Sequence, residues 1–248
     1  MFDCVNLKDP CDFALPYDVF TEFYRIPSTD YKLGWIKIKR NIFIDYTLPI
    51  LDENHECECM ETEYCEDDSC INRCLYIECS PMNCTPHCKN QRMRHFEHLK
   101  EHEIDIRFNL RKGWSLHTLV ACKRGEFLLE YTGEWISQKL FEERSKDLKT
   151  KSDFYFLQVK NDAIIDASFK GSEARFANHS CDPNCHIEIW TVDSEKRVGV
   201  FASRDIQPNE ELSYNYNFDS LVNYSCFCGS QNCTGTLGKG YLSKFKVL

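Results

Sequence analysis

Residues 57–88 carry eight cysteines at the spacing C-x-C-x5-C-x4-C-x3-C-x4-C-x4-C-x3-C, and little apolar material lies between them. A segment of this kind cannot close a hydrophobic core, so covalent or metal cross-links must hold it. The whole chain has 16 cysteines in 248 residues, and the even count suits a secreted disulfide framework. Four N-x-[ST] triplets, at Asn83, Asn178, Asn223 and Asn232, point the same way. The start, MFDCVNLKDPCDF, lacks a basic region followed by an apolar one, and no apolar stretch approaches the ~18 residues of a membrane span. The expectation is therefore an intracellular protein with reduced thiols and no membrane contact, in which clustered cysteines bind metal. Gaps this short let thiolates converge tetrahedrally on Zn²⁺ at ~2.3 Å. Eight cysteines can form two separate sites, or seven can form a two-metal cluster with one bridging sulfur and one spare. Spacing alone leaves both open.

A second cluster, CFCGSQNC, supplies Cys226, Cys228 and Cys233, one ligand short of a structural zinc site. Cys181, within RFANHSCDPNC (175–185), is the natural fourth, with a buried structural thiol as the alternative. Cys4, Cys11, Cys122 and Cys185 have no ligand-like spacing and read as core or surface thiols.

Between the clusters the pattern is β-rich. Short runs such as IRFNL, EFLLEYTG, FYFLQV, AIIDA, HIEIWTV and RVGVFAS are bounded by Gly, Asn, Asp and Pro. Trp35–Ile44 alternates like a strand, and SQKLFEERSKDLKTK (137–151) reads as a helix capped by Ser137, with Leu140, Phe141 and Leu148 on one face. The expected organisation is an N-terminal extension (1–54), a metal module (55–103), a catalytic domain (104–219) and a second metal segment with a basic tail (220–248). The formal net charge of −9 disfavours bulk attraction to nucleic acid and favours a basic partner. Local basic runs, IKIKR (36–40), KNQRMRH (89–95) and GKGYLSKFK (238–246), leave room for local DNA contact.

RFANHSCDPN, ELSYNYNF (211–218) and CFCGSQNCTGTLG (226–238), in that order, strongly resemble the SET-domain protein-lysine methyltransferases with a post-SET zinc segment. The cysteine-rich block resembles their AWS pre-SET module. CINRCLYIEC, EYTGE and KNDAIIDASFKG are similar to the group that methylates lysine 36 of histone H3. The resemblance runs from about Tyr24 to Leu237. It implies a mainly β fold with short helices, a β-clip-like SET domain with a pseudo-knot, flanked by zinc-bound segments. It also implies S-adenosylmethionine and three structural Zn²⁺ ions as cofactors, a histone H3 tail or nucleosome as partner, and the nucleus and chromatin as location.

Carried over residue by residue, the resemblance places Lys112, Gly113, Trp114, Tyr155, Arg175, Phe176, Asn178, His179, Tyr216, Phe218 and Leu237 at the cofactor. Tyr216 matches the catalytic tyrosine. Tyr214 stands where phenylalanine or tyrosine governs how many methyls fit, and tyrosine implies that monomethylation is favoured, with dimethylation as the upper reach. Cys57, Cys59, Cys65, Cys70, Cys79, Cys84 and Cys88 would hold two ions with Cys65 bridging, Cys74 being the spare. Cys181, Cys226, Cys228 and Cys233 would hold the third. Tyr131 is expected either to wall the lysine channel or to fill the core. Two departures stand out. Ser115 replaces a common glycine, which would weaken cofactor binding if that position needs φ > 0, and His117 reads as a surface residue. Rival readings are another histone or non-histone lysine as target, including lysine 4 of H3, and a catalytically impaired chromatin-binding relative.

Overall fold

The computed structural model describes residues 35–47, 57, 59, 65, 69–82, 84, 88–95, 98–109, 111–148, 155–160, 163–216 and 224–237. Cys4, Cys11, Phe218 and the basic run 238–246 lie outside the described residues. The described chain is built mainly of short strands.

Alternation of apolar and polar side chains makes a hairpin of β3 (Ile104–Asn109) and β4 (Gly113–Thr118). Its turn is set by Asn109, whose Oδ1 accepts the Arg111 and Lys112 amides at 2.8 and 3.3 Å, and by Gly113 at φ +72°. Next to it, β5 (Phe127–Glu130), β11 (Cys185–Val192) and β12 (Glu195–Ala202) form an antiparallel sheet in the order β11-β12-β5. The connecting turn places Asp193 and Ser194 at positive φ, as a tight hairpin requires. Met93, Phe127, Trp190, Val192 and Phe201 form a buried cluster against this sheet.

A second sheet has the order β2-β6-β8-β7, from β2 (Ile42–Phe43), β6 (Glu134–Ser137), β7 (Phe156–Lys160) and β8 (Ala163–Asp166). Gly133 is needed at its entry, because a Cβ there would stand 2.6 Å from Ile165 Cγ2 and 2.7 Å from the Asp166 carbonyl oxygen. The expected helix is present as α2 (Gln138–Leu148), with residues 149–151 outside the described set. Ser137 caps it as expected, its Oγ accepting the Leu140 amide at 3.2 Å. Phe141 meets Phe156 edge-on at 5.0 Å, and Arg144 ties the helix to Glu134 and Asp166 at 2.8 and 2.6 Å.

The run Trp35–Ile44 is not one strand. It breaks into β1 (Ile36–Lys37) and β2, which pair in parallel with different partners: β1 with β9 (Lys170–Gly171) and β2 with β6. The bend between them is held from both sides, by Thr132 Oγ1 donating to the Ile38 carbonyl at 3.0 Å and the Gly133 amide donating to Asn41 Oδ1 at 3.0 Å. Alternation could not reveal this, because a side-chain bracket from ninety residues away sets the break. Residues 35–47, expected within an N-terminal extension, are thus woven into the strands beside β6 and β9.

The cysteine-rich module carries one helical turn, α1 (Ile71–Cys74), and docks through an Ile77–Thr191 bridge beside β11. The buried Glu78 carboxylate accepts the Met93 and Arg94 amides at 2.5 and 3.0 Å. The basic run 89–95 is largely spent on this docking. Arg92 lies over Phe201 and Trp190 at 4.8 and 5.2 Å, and Arg94 pairs with Asp193. Arg92 and Arg94 thus serve packing, while Lys89 and His95 stay exposed.

Candidate functional site: a tyrosine cluster beside a thiol bracket

Two segments distant in sequence clasp at the centre of the fold. β10 (Asn178–His179) runs parallel to β13 (Ser213–Tyr214), with Asn178 opposite Ser213 and His179 opposite Tyr214. The Leu212 amide donates to the Leu116 carbonyl at 2.7 Å and the Ser180 amide to that of Tyr214 at 3.2 Å, so β13 lies between β4 and β10. The buried Asn184 amide secures the crossing by donating to the Glu211 carbonyl and to Glu210 at 2.8 and 3.0 Å, while its Oδ1 accepts the Ser213 amide at 2.9 Å.

Tyr216 leaves this clasp with both polar groups fixed. Its hydroxyl donates to the Ala177 carbonyl at 2.9 Å and its amide to His179 Nδ1 at 3.2 Å. An amide can only donate, so Nδ1 is an acceptor and the neutral ring carries its proton on Nε2. Nε2 faces Cys181 Sγ at 3.5 Å. Burial lowers the pKa of His179, consistent with a neutral ring. Tyr214 lies 4.8 Å from Tyr216 ring to ring, and its hydroxyl makes no hydrogen bond to a described residue. Tyr131, 2% exposed, donates to the Tyr155 carbonyl at 3.2 Å. Burial first, and the neighbouring tyrosines second, push the hydroxyls of Tyr131, Tyr214 and Tyr216 well above the ordinary tyrosine pKa. The result is a set of three neutral phenols, Tyr131 and Tyr214 buried and Tyr216 half-buried. Of the two roles expected for Tyr131, its burial shows the core one.

The remaining residues expected at the cofactor fall into two groups. Lys112 pairs with Glu211, and Asn178 Nδ2 donates to Glu211 Oε1 and the Trp114 carbonyl, both at 3.1 Å. Beside them opens a cleft of about 170 Å³ whose lining includes Lys112, His179, Ser180, Glu211 and Cys228. Arg175, Phe176 and Tyr155 form the second group. The Arg175 side chain, 5% exposed, donates to the Ala167 and Ser168 carbonyls at 2.6 and 3.0 Å and lies 3.5 Å over Tyr155. Its side chain is engaged in this bracket. Sequence reasoning did not single out Glu211, although it opens the ELSYNYNF run; its pairing with Lys112 and Asn178 reveals its place in the site.

Ser115 imposes no backbone strain. It occupies an extended position paired with Arg107, and its hydroxyl donates to the Arg107 carbonyl at 3.0 Å. His117 is half-buried, not a surface residue: it contacts Ser115 Oγ at 3.1 Å and the Asn209 carbonyl at 3.2 Å.

No described cysteine is disulfide-bonded. Their sulfurs gather into three groups, each within 4.8 Å: Cys57, Cys65, Cys70 and Cys79; Cys65, Cys79, Cys84 and Cys88; and Cys181, Cys226, Cys228 and Cys233. Cys59 packs against the first two groups, and Cys74 is exposed and belongs to none. Hydrogen bonding from Cys88 pulls the Cys79 thiol down to about 4, while burial pushes Cys70 up to about 12. Four thiolates cannot ionise together at such distances without a dication between them, so the donor set fits Zn²⁺. The third group is joined by a hairpin of β14 (Tyr224–Ser225) and β15 (Thr236–Leu237), which sets half-buried Leu237 beside the Cys181 bracket.

The family profile described as SET domain matches residues 113–217, and that described as AWS domain matches residues 61–96. Histone-lysine N-methyltransferase ash1 of Drosophila melanogaster is 34% identical over 241 residues, covering 92% of this chain and 11% of the relative. The human protein named histone-lysine N-methyltransferase, H3 lysine-36 specific, is 41% identical over 197 residues, covering 76% of this chain and 7% of the relative. Its namesake from Yarrowia lipolytica is 40% identical over 188 residues, covering 73% and 24%. The chain spans at most about a quarter of the length of these relatives. It belongs to the SET-domain family, with an AWS module ahead of its SET domain.

Proposed function

We propose that the chain is an S-adenosylmethionine-dependent protein-lysine N-methyltransferase, acting on lysine 36 of histone H3 in chromatin and favouring monomethylation, with dimethylation as its upper reach. The observation that carries the reading is the group of three neutral phenols, Tyr131, Tyr214 and Tyr216, set against the polar cluster of Lys112, Asn178 and Glu211. Burial among uncharged rings disfavours an ammonium by desolvation, and a lysine amine of ordinary pKa about 10.4 must lose its proton before it can attack. When bound, S-adenosylmethionine supplies the electrophilic methyl.

The chain contributes positioning. Tyr216, fixed through Ala177 and His179, would orient the incoming amine with its hydroxyl, and holding the reacting atoms at ~3–3.5 Å in line removes several kcal/mol of barrier. The Tyr216 hydroxyl is hydrogen-bonded to a carbonyl and not to a carboxylate that could act as general base, so the amine's proton leaves to water. Trp114, Asn178, His179 and Leu237 would embrace the adenosine end. The cysteine groups would hold three zinc ions, one of them anchoring the segment 226–237 over the pocket. The Tyr214 hydroxyl, which makes no hydrogen bond to a described residue, would hold a water in the space that a third methyl needs.

The acidic chain suits the basic H3 tail, and the histone names of its relatives support that class of substrate. Nuclear, chromatin-bound residence follows from the same reading. Exposed Lys39 and Arg40 offer local contact to nucleosomal phosphate. Tritium methyl transfer to nucleosomes, to free H3 and to H3 with arginine in place of its lysine 36 tests the proposal. Label on H3 that disappears with the arginine variant supports it, and undiminished label on that variant assigns a different lysine.

A further inference from the structure

We propose that Trp35, which lies outside both matched domain ranges, is a positioning residue for the lysine site: its indole face sets Phe176 and Arg175, and through them the Tyr155 wall and the carbonyl that receives the Tyr216 hydroxyl. The inference rests on the reading of that site as a methyl-transfer pocket.

Trp35 is pinned in place by the residues after it. The Ile36 amide donates to the Phe169 carbonyl at 2.7 Å, the Ile38 amide to that of Gly171 at 2.9 Å, and Lys37 pairs with Glu173 in the 3-10 turn Glu173–Phe176. The indole, 5% exposed, meets Phe176 edge-on at 5.5 Å, and the Arg175 guanidinium lies 5.5 Å from its centroid. A guanidinium this buried must be compensated by its surroundings, and here rings supply part of that: Tyr155 at 3.5 Å, Phe176 at 4.6 Å and Trp35. Two consequences reach the reacting region. Arg175 presses on Tyr155, whose carbonyl accepts both the Tyr131 hydroxyl at 3.2 Å and the Ala167 amide at 2.8 Å. Phe176 precedes Ala177, whose carbonyl accepts the Tyr216 hydroxyl. A shift of the indole is therefore delivered to two walls of the pocket at once.

The alternative is that Trp35 only fills space. Among the described residues the buried indole N–H has no hydrogen-bond partner, so no donor role seen there explains a tryptophan at this position. What a smaller aliphatic residue cannot supply is the π face, and this separates the two roles. Trp35→Phe keeps an aromatic face and removes a donor that has no partner among the described residues; Trp35→Leu keeps apolar burial and loses the face. Should Trp35→Leu fail to fold, Trp35→Met, also without a π face, replaces it.

The experiment uses the full, zinc-loaded chain and measures kcat and KM for methyl transfer to an H3 peptide, with hydrogen exchange of residues 155–160 and 173–180 alongside, below the melting temperature of every variant. The expected result for Trp35→Leu is a kcat lower by about tenfold or more with peptide KM little changed, since a displacement near 1 Å can cost ~100-fold. Exchange should quicken in those two segments and not in β11 or β12, and Trp35→Phe should restore both readouts. Equal kcat and equal exchange in Trp35→Leu and Trp35→Phe would overturn the proposal. If the wild type methylates no lysine, the functional reading fails by itself. The exchange comparison still decides the role of Trp35, and unchanged protection in Trp35→Leu refutes it.

Discussion

Tyr216→Phe separates what a hydroxyl does for the fold from what it does for the reaction. The substitution keeps the ring, 4.8 Å from Tyr214 and 5.5 Å from His179, and keeps the amide bond to His179 Nδ1. It deletes one neutral hydrogen bond, from the hydroxyl to the Ala177 carbonyl at 2.9 Å. Such a bond contributes ~1 kcal/mol net, and the stranded carbonyl adds a penalty of about the same size. Against a stability of about 5–15 kcal/mol the folded population stays above roughly 99%, so loss of fold removes about one per cent of activity at most. The melting temperature should fall by about 2–8 °C. If the hydroxyl orients the amine, the rate falls far more, by about 10²-fold, equivalent to ~2.7 kcal/mol of transition-state free energy. Single-turnover methyl transfer to an H3 peptide, paired with a thermal melt of the same sample, reads both quantities. A melting shift of that size with a rate within about threefold of wild type would refute the catalytic assignment, because it would leave the hydroxyl with a structural task only.

Other outcomes follow from the same geometry. Atomic spectrometry should find three zinc ions per chain; Cys74→Ser should leave that content unchanged, whereas Cys65→Ser, which touches both groups of the first module, should lose metal from both. Burial holds the three pocket tyrosines protonated into the alkaline range, so the titrating group is the substrate amine. A pH profile of kcat/KM should rise from about pH 7 towards pH 9 with no falling limb from tyrosine ionisation, and a maximum near neutrality would contradict the desolvation argument. Tyr214→Phe removes a hydroxyl that has no partner among the described residues, so it should cost little stability and raise the methyl number seen by mass spectrometry.

Much of this organisation is legible in the chain because its determinants are local. The cysteine spacings, the Ser137 cap and the runs that became β3, β5, β7, β8, β11 and β12 each carry their own signal within a few residues. Cys181 could be matched to Cys226, Cys228 and Cys233 only through resemblance, since Cys226 lies 45 positions after Cys181 and no spacing rule spans that offset. What remained hidden depends on contacts between remote segments. The split of Trp35–Ile44 is set by Thr132 and Gly133, the role of Glu211 by Lys112 and Asn178, and the burial of His117 by Asn209. Likewise, a basic run looks like an open patch in sequence, and only packing shows Arg92 lying on Phe201 and Arg94 paired with Asp193.

The most direct measurement is the intact mass of an H3 peptide spanning lysine 36 after incubation with the zinc-loaded chain and S-adenosylmethionine. The account predicts a product one methyl heavier, a second methyl appearing only at long times, and neither product with Tyr216→Phe on the same timescale. A peptide of unchanged mass, or one trimethylated at the earliest time points, would contradict it.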